Sequence, residues 1–486
     1  MMRTAIIGGG IAGLAAAYEL EKARAGGAPV EYTLYEAGPR LGGVLASRIV
    51  DGAVLELGPD SFLSEKPAAA ELCRELGLGA DLIGSNDAER KTFVLVRNRL
   101  VPLPDGLMFL IPTKLMPTAM TRLFSPMTKL RMALELLHPP RPAGEDESVA
   151  ALVERHFGPE AVDRLADPLL SGIYGGDAAQ LSARTVLPRL VEMESEYGSL
   201  TRGMLAAHRK MRAKMKAANG YAAPRPPSAP RSIFTTLRNG MQQLVEGLEA
   251  RIDPAAVRRS TPVSGLARLS NGWRVNAAGR LDDFDSVIVA SPAWAAGVLL
   301  GEVDSRLADE LSGIPYSSSI TVNLIYNQAK LGALPDGFGF LVPASENRSM
   351  LACTFVHRKF LGRTPAGKAV LRAFLGGMKN EALLAESDAV LVEAVRRELG
   401  EILRGSALAR GLEPEYAQVS RWRRAMAQYA VGHQLRKQRI AERVAHHDGL
   451  RLAGNAYDGI GISDCIRLGR QAAKELVAAV AATAKP

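Results

Sequence analysis

The chain reads as an α/β and α+β protein whose parallel-sheet unit is discontinuous in sequence, and three observations carry that reading. Near the start, the run Thr4-Ala5-Ile6-Ile7 leads into Gly8-Gly9-Gly10 and then into the Ala- and Leu-rich stretch 14–20, giving the order strand, glycine turn, helix. Near the end, Leu450-Arg451-Leu452-Ala453 leads into a loop holding Gly454, Gly459 and Gly461, and a last helix follows. Between them, Ser286-Val287-Ile288-Val289-Ala290 reads as a strand ending in the turn Ser291-Pro292-Ala293, and residues 316–378 are mostly strands. Two glycine-rich strand–turn–helix units at opposite ends, with a strand in the middle, fit one sheet assembled from all three.

Taken in order, residues 30–35 form a second strand that stops at Glu36. Residues 44–47 and 53–57 read as extended, and a helix over 67–76 closes at Gly77. Residues 92–100 alternate well enough for a strand and hairpin. From 102 to 138, Met and Leu crowd among prolines (Leu107-Met108-Phe109-Leu110-Ile111-Pro112, Met116, Met120, Met127, Met132), which predicts short helices broken at Pro112, Pro117 and Pro126. This is either a helical unit with an adaptable Met-rich core or one whose apolar surface meets lipid or a hydrophobic ligand. Amphipathic helices are expected over 148–157 and 159–170, a glycine loop over 171–177 and a helix over 184–194. The basic, Pro-rich stretch ending at Pro230 reads as a linker. A helix over 240–248 precedes strands at 261–263 and 273–275. Strands at 318–326, 339–342, 350–356 and 370–376 come before a long helix over 388–403.

At 486 residues the chain divides into two or three domains, each able to bury a core. Its 47% hydrophobic and 23% charged residues suit a soluble globular protein. It enters a strand directly after Met1-Met2-Arg3, leaving no room for a targeting segment. No apolar run reaches about 18 residues, so no transmembrane helix is predicted. Cys73, Cys353 and Cys465 form neither a disulfide framework nor a metal pattern, which points to a cytoplasmic setting and no metal. The net charge of +9 is concentrated partly around His208-Arg209-Lys210, Arg212, Lys214 and Lys216. That stretch is either a solvated helix face or a patch for anionic lipid or a polyanionic substrate. Nucleic acid is excluded as a partner, since no aromatic residues interleave with the basic ones.

Gly8, Gly10 and Gly13 have the G-x-G-x-x-G spacing in the strand-then-helix setting that gives it meaning, with Gly9, Ile11 and Ala12 between. A pyrophosphate at such a helix start meets free N–H groups and the helix dipole. Glu36 lies roughly 20 residues past the glycines, where a carboxylate accepts hydrogen bonds from ribose hydroxyls and repels a 2′-phosphate. The run continues as Glu36-Ala37-Gly38-Pro39-Arg40-Leu41-Gly42-Gly43. That extension resembles the one in FAD-binding amine-oxidase-like flavoproteins, which implies FAD and adds Arg40, Gly42 and Gly43 to the candidates.

A longer likeness follows. Gly58-Pro59-Asp60-Ser61-Phe62, residues 169–177, residues 337–343, Arg421-Trp422-Arg423-Arg424-Ala425-Met426-Ala427-Gln428-Tyr429 and residues 454–466 together resemble the oxygen-dependent porphyrinogen oxidases of haem biosynthesis. The resemblance implies a Rossmann-like FAD-binding domain (1–86, 232–297 and 446–486) and a mixed-sheet substrate domain (87–101, 187–231 and 298–445). A helical domain over 102–186 that touches membrane in some relatives completes it. It also implies FAD contacts at Gly8 to Gly13, Glu36, Ala37, Gly58, Pro59, Asp60, Ser61, Val263, Trp422, Ile462, Ser463 and Asp464. Ile173, Tyr174, Gly175, Leu341 and Phe374 are implied as pocket walls. Apolar and aromatic walls suit the faces of a flexible tetrapyrrole.

Two positions depart from protoporphyrinogen-preferring relatives, which carry an arginine where this chain has Thr92 and an apolar residue where it has Thr354. Both resemble the bacterial coproporphyrinogen III oxidases. Arg97, Arg358 and Lys359 are candidates for a basic entrance suited to four propionates. The resemblance implies hydride transfer from the porphyrinogen to the flavin, O2 as acceptor, and no obligatory acid–base side chain. It leaves open peripheral contact at the inner face of the cell membrane and contact with haem-pathway enzymes. Protoporphyrinogen IX oxidation, an amine oxidase or desaturase, and a flavin-free lipid carrier are the rival readings.

Overall fold

The structure, a computed structural model, describes residues 1–108, 111–112, 114–142, 144–219 and 232–483. Five parallel strands form one sheet in the spatial order Val257–Arg258, Val30–Tyr35, Met2–Ile7, Ser286–Val289, Leu450–Leu452. The β-branched runs at 4–7 and 286–289 suit strands buried on both faces. One face carries the helix Ile11–Ala25 and the terminal helix Ile462–Thr483. These two helices lie close because residue 469 is glycine. A Cβ there would stand 2.0 Å from the Ala12 carbonyl oxygen. A second small sheet, the meander Val263–Leu269, Gly272–Ala277 and Arg280–Phe284, packs on the other face through Trp273, Val275 and Phe284.

The larger, mixed sheet has seven strands, ordered Tyr416–Ala427, Tyr316–Asn327, Lys368–Gly376, Met350–Phe355, Gly339–Leu341, Thr92–Val96, Arg99–Pro102. Its two faces differ with the period of two that a strand imposes. One face presents Leu95, Val322, Phe340, Cys353, Leu371, Ala373 and Leu375 to the helix Asp388–Ile402, which buries Leu391, Val395, Leu399 and Ile402. Each such fully buried side chain contributes about 1.5–3 kcal/mol. The opposite face is covered at its two ends only. Ile325 and Val370 meet Ala53 and Leu55 of the hairpin Ser47–Val50 and Ala53–Glu56. Val94 and Val96 meet the helical part through Phe124, Leu152 and Phe157. That helical core also takes in Met132, Leu190, Leu200 and Met204.

Several elements differ from expectation. Residues 44–46 are not strand, because the Arg40 guanidinium holds the carbonyls of Gly43 and Leu45 and keeps them from a ladder. The pieces Leu107–Met108 and Ile111–Pro112 pair as strands instead of forming a helix, while Phe109 and Leu110 lie outside the described residues. Pro117 sits in the first turn of the helix Leu115–Met120, where an N–H has no intrahelical partner to lose. Pro126 opens the helix Pro126–Leu134, with Ser125 as its cap. The expected loop at 171–177 is largely helix. Asp167–Tyr174 runs through Gly172 and stops at Gly175, whose φ is 57°. The expected helix over 184–194 is divided into Ala183–Val186 and Pro188–Tyr197, since Pro188 supplies no N–H. The basic stretch 208–216 and the first residues of the expected linker belong to the helix Leu200–Asn219, and residues 220–231 fall outside the described residues.

Of the Met- and Leu-rich segment, Leu123, Phe124 and Met132 are buried, whereas Met116, Met120, Met127, Leu130, Leu134 and Leu137 are exposed. Among the described residues no helix is long and apolar enough to cross a membrane.

Candidate cofactor and substrate site

The first glycine turn, the second glycine run and residues 57–61 form one continuous assembly. Gly13 lies so close to the turn that a Cβ would stand 1.9 Å from the Gly8 carbonyl oxygen. Gly10 precedes the first helical residue, and a Cβ there would meet nothing within 4 Å. The start of the helix is therefore an open cradle lined by backbone. The Glu36 carboxylate accepts hydrogen bonds from the N–H groups of Gly9 and Gly38, both at 2.7 Å. Gly42 donates to the Gly9 carbonyl at 2.8 Å, and Gly43 approaches the Gly10 backbone. Ala37 is exposed at the rim. Thr261 donates to the Glu36 carbonyl at 2.9 Å, which brings the strand beginning at Val263 beside the same loop.

Trp422 binds this assembly to the mixed sheet. Its Nε1 donates to the Leu57 carbonyl at 2.7 Å, and the Arg40 guanidinium lies 5.8 Å from the centre of its ring. Gly58 backs onto Val44, Pro59 follows, and the Ser61 hydroxyl donates to Asp60 at 2.6 Å. Asp60 is ion-paired with Lys359 at 2.9 Å and lies 3.8 Å from Arg372. Burial alone would raise its pKa, but Lys359 and Arg372 outweigh burial and hold the carboxyl well below its usual range. At the far end of the chain, Ile462, Ser463 and Asp464 are the buried first residues of the terminal helix. Ser463 donates to the Lys66 carbonyl at 3.0 Å, and the Lys66 ammonium binds Asp464 at 2.7 Å. Cys465 is buried, and burial pushes its thiol up to about 12, so it stays protonated.

The uncovered middle of the mixed sheet gathers the other candidates. Thr92 pairs with Gly339, Gly339 with Thr354, and Thr354 with Arg372, while the next row on the same face runs Leu341, Ala352, Phe374, Thr321. Thr92, Leu341, Thr354 and Phe374 are each half-buried on that face. The helix Asp167–Tyr174 approaches it, with Gly172 about a van der Waals contact (3.6 Å from its built Cβ) from Leu341. Ile173 is exposed, Tyr174 is half-buried, and Gly175 is buried against Ser317. The Tyr174 carbonyl accepts from Gln428 at 2.7 Å and from Ser317 at 3.2 Å, which fixes the end of the helix. Burial and the nearby Asp464 push the Tyr174 phenol up to about 12.

Two of the expected entrance cations are committed elsewhere: Arg358 to Asp336 at 2.6 Å, and Lys359 to Asp60. Arg97 lies in the turn between Thr92–Val96 and Arg99–Pro102, where it and Asn98 both have positive φ and their N–H groups bind Glu346. Arg372 escaped the sequence reading, although a lone charge inside Val370-Leu371-Arg372-Ala373-Phe374 is a signal that could have found it. Among the described residues no group of three His, Cys, Asp or Glu could hold a metal.

An open backbone cradle at a helix start, an acid braced against it by two backbone N–H groups and a second glycine run docked onto the first lie side by side with the uncovered face of the mixed sheet. The profile of the flavin containing amine oxidoreductases matches residues 11–477. The chain is 33% identical over 473 residues to a coproporphyrinogen III oxidase of Bacillus subtilis, covering 97% of both. It is 32% identical over 490 residues to the human protoporphyrinogen oxidase, covering 97% of this chain and 98% of that one. A crystal structure from Exiguobacterium sp. 255-15, provisionally named a protoporphyrinogen oxidase, superposes with a TM-score of 0.84 at 34% identity, covering 98% of this chain and 99% of that chain. The chain belongs to the flavin-containing amine oxidoreductases, and within them to the porphyrinogen oxidases. It is an FAD-dependent oxidase.

Proposed function

We propose that the protein oxidises coproporphyrinogen III to coproporphyrin III in haem biosynthesis, removing six electrons with O2 as acceptor and H2O2 as by-product. The observation that carries this reading is the uncovered sheet face, where Thr92, Leu341, Thr354 and Phe374 come together from four strands beside the glycine assembly. The coproporphyrinogen oxidase of B. subtilis supports the choice of substrate, as do the hydroxyls at Thr92 and Thr354.

When bound, FAD would supply the hydride acceptor and the route of electrons to O2. Gly8 to Gly13 and Glu36 hold its dinucleotide end, where the residues fit: an open cradle and a carboxylate. Residues 42–43, 58–61, 462–464, Val263, Arg40 and Trp422 complete that site. Leu341, Phe374, Ile173 and Tyr174 cover the tetrapyrrole and keep water from it, with Gly175 closing the helix behind them. A phenol pushed up to about 12 stays protonated, so Tyr174 does not serve as a base.

The two large sheets and the helical core support a division into FAD-binding, substrate and helical parts, although Leu190, Leu200 and Met204, expected in the substrate part, pack into the helical core. The exposed Met and Leu side chains between 116 and 137 form the surface for peripheral contact at the inner face of the membrane. The test is to give the purified yellow protein coproporphyrinogen III while following O2 uptake, H2O2 and porphyrin fluorescence. The expected result is three O2 consumed per porphyrin formed. Absence of oxidation by flavin-loaded protein overturns the proposal.

A further inference from the structure

Beneath the half-covered face of the mixed sheet lies a group of five charges, of which Glu56, Arg363 and Arg372 are buried and Asp60 and Lys359 half-buried. Glu56 and Arg363 form an ion pair in which both side chains are almost wholly buried, at 3% and 0% exposure. The Glu56 carboxylate also accepts from the Met241 N–H at 2.8 Å and the Ser47 hydroxyl at 2.6 Å. Beside it stand Asp60 with Lys359 at 2.9 Å and Arg372 at 3.8 Å, the Arg372 side chain 3% exposed. Three cations thus face two carboxylates, which leaves one positive charge in excess among the described residues. A buried charge without a counterion is costly, and the groups around Arg372 do not cancel it.

Arg372 itself touches both halves of the site. Its guanidinium donates to the Gly58 carbonyl. The same group lies 4.7 Å from the centre of the Phe374 ring, two residues along the same strand face. Across the sheet its partner is Thr354. Its Nε has no hydrogen-bond partner, nor have Nε and Nη1 of Arg363. Burial lowers the Arg372 pKa, Asp60 and Glu56 raise it, and Arg363 lowers it further. A guanidinium remains charged through a change of that kind.

We propose that Arg372 is a positioning residue that couples residues 58–61 to the Phe374 wall, and that the excess positive charge around it favours the negative charge FAD acquires on reduction. The proposal rests on reading residues 58–61 as a flavin contact. A hydride brings two electrons and one proton to a neutral ring system, so the ring gains one negative charge. A cation in a poorly screened interior stabilises that charge far better than one in water. The midpoint potential of the bound flavin is therefore higher than it would be without Arg372.

The experiment measures that potential by dye-equilibrated reduction of the FAD-loaded protein without porphyrinogen, for the parent protein, Arg372→Lys and Arg372→Met. Arg372→Met is expected to shift the potential downward, and Arg372→Lys, which keeps the charge, to restore most of it. An unchanged potential in flavin-loaded Arg372→Met overturns the proposal. If Arg372→Met fails to hold flavin, Lys359→Met removes a charge from the same group. A lower potential then supports the proposal, and an unchanged one overturns it. No substrate is present, so a failure of the porphyrinogen reading leaves this result intact. That separate failure shows itself as a lowered potential in a protein that oxidises no porphyrinogen.

Discussion

The glycine assembly and the open face of the mixed sheet are built in opposite ways. The first is made largely of backbone: Gly9, Gly10, Gly13, Gly42 and Gly43 bring main chain against main chain, with Glu36, Arg40 and Trp422 bracing it and Leu41 and Val245 packed against Gly9 and Gly42. The second is made of side chains that meet only because strands distant in sequence pair in one register, Thr92 with Gly339 and Gly339 with Thr354. Backbone sites tolerate almost no added volume, whereas a side-chain wall can be retuned one residue at a time. Cofactor binding should therefore be brittle and substrate choice plastic.

The largest expected effect tests that brittleness. In Gly13→Val the new Cβ meets the Gly8 carbonyl, and the cost of several kcal/mol leaves the protein colourless or insoluble. Gly10→Ala, with nothing within 4 Å of the new methyl, should keep the fold while placing that methyl in the cradle. FAD affinity then falls roughly tenfold, about 1.4 kcal/mol, as flavin absorbance per protein and titration of the apoprotein would record. Equal behaviour of the two variants would remove the backbone argument.

Next comes the glycine loop near the C-terminal end, held by Tyr429. His433 stacks on Tyr429 at 4.2 Å, and the Tyr429 hydroxyl donates to the Asn455 carbonyl and accepts from Gly459. Burial, then Lys437, lowers the His433 pKa from its ordinary 6.5 to about 4. The unfolded chain therefore binds the extra proton between these values, so stability falls as pH drops from about 6.5 to 4, by up to about 3 kcal/mol. His433→Asn should flatten that part of a denaturation-versus-pH curve. A slope as steep as the parent's would contradict the assignment.

The plastic half carries smaller effects. Phe374→Ala should leave FAD content near that of the parent and lower kcat/KM roughly tenfold, about 1.4 kcal/mol, chiefly through KM. Loss of flavin in this variant would instead make Phe374 part of the cofactor site. Thr92→Arg introduces a propionate partner of the kind found in protoporphyrinogen-preferring relatives. It should shift the ratio of kcat/KM for the two porphyrinogens toward the two-propionate one by about 1 kcal/mol, roughly fivefold.

The same contrast explains what could be read from sequence. The strand Val30–Tyr35 is local and spacing marks it to the residue, whereas the first helix begins at Ile11, three residues before the Ala- and Leu-rich stretch that signals it. The helix Asp167–Tyr174 was misread because Gly172 and Gly175 look alike in sequence, yet only Gly175 occupies the left-handed position that ends a helix. Lys359 reads as a free entrance cation until the fold brings Asp60 to it. The alignment of Thr92 with Thr354, and the excess charge at Arg372, depend on strand register. Register is fixed by partners that lie elsewhere in the chain. In the sequence, the wall residues were accessible only through family resemblance.

The most direct measurement is kcat/KM for coproporphyrinogen III and protoporphyrinogen IX, side by side, on the same flavin-loaded preparation and read by porphyrin fluorescence. A specificity constant at least tenfold higher for the four-propionate substrate is the predicted result. Equal constants, or a preference for the two-propionate substrate, would contradict the role given to Thr92 and Thr354.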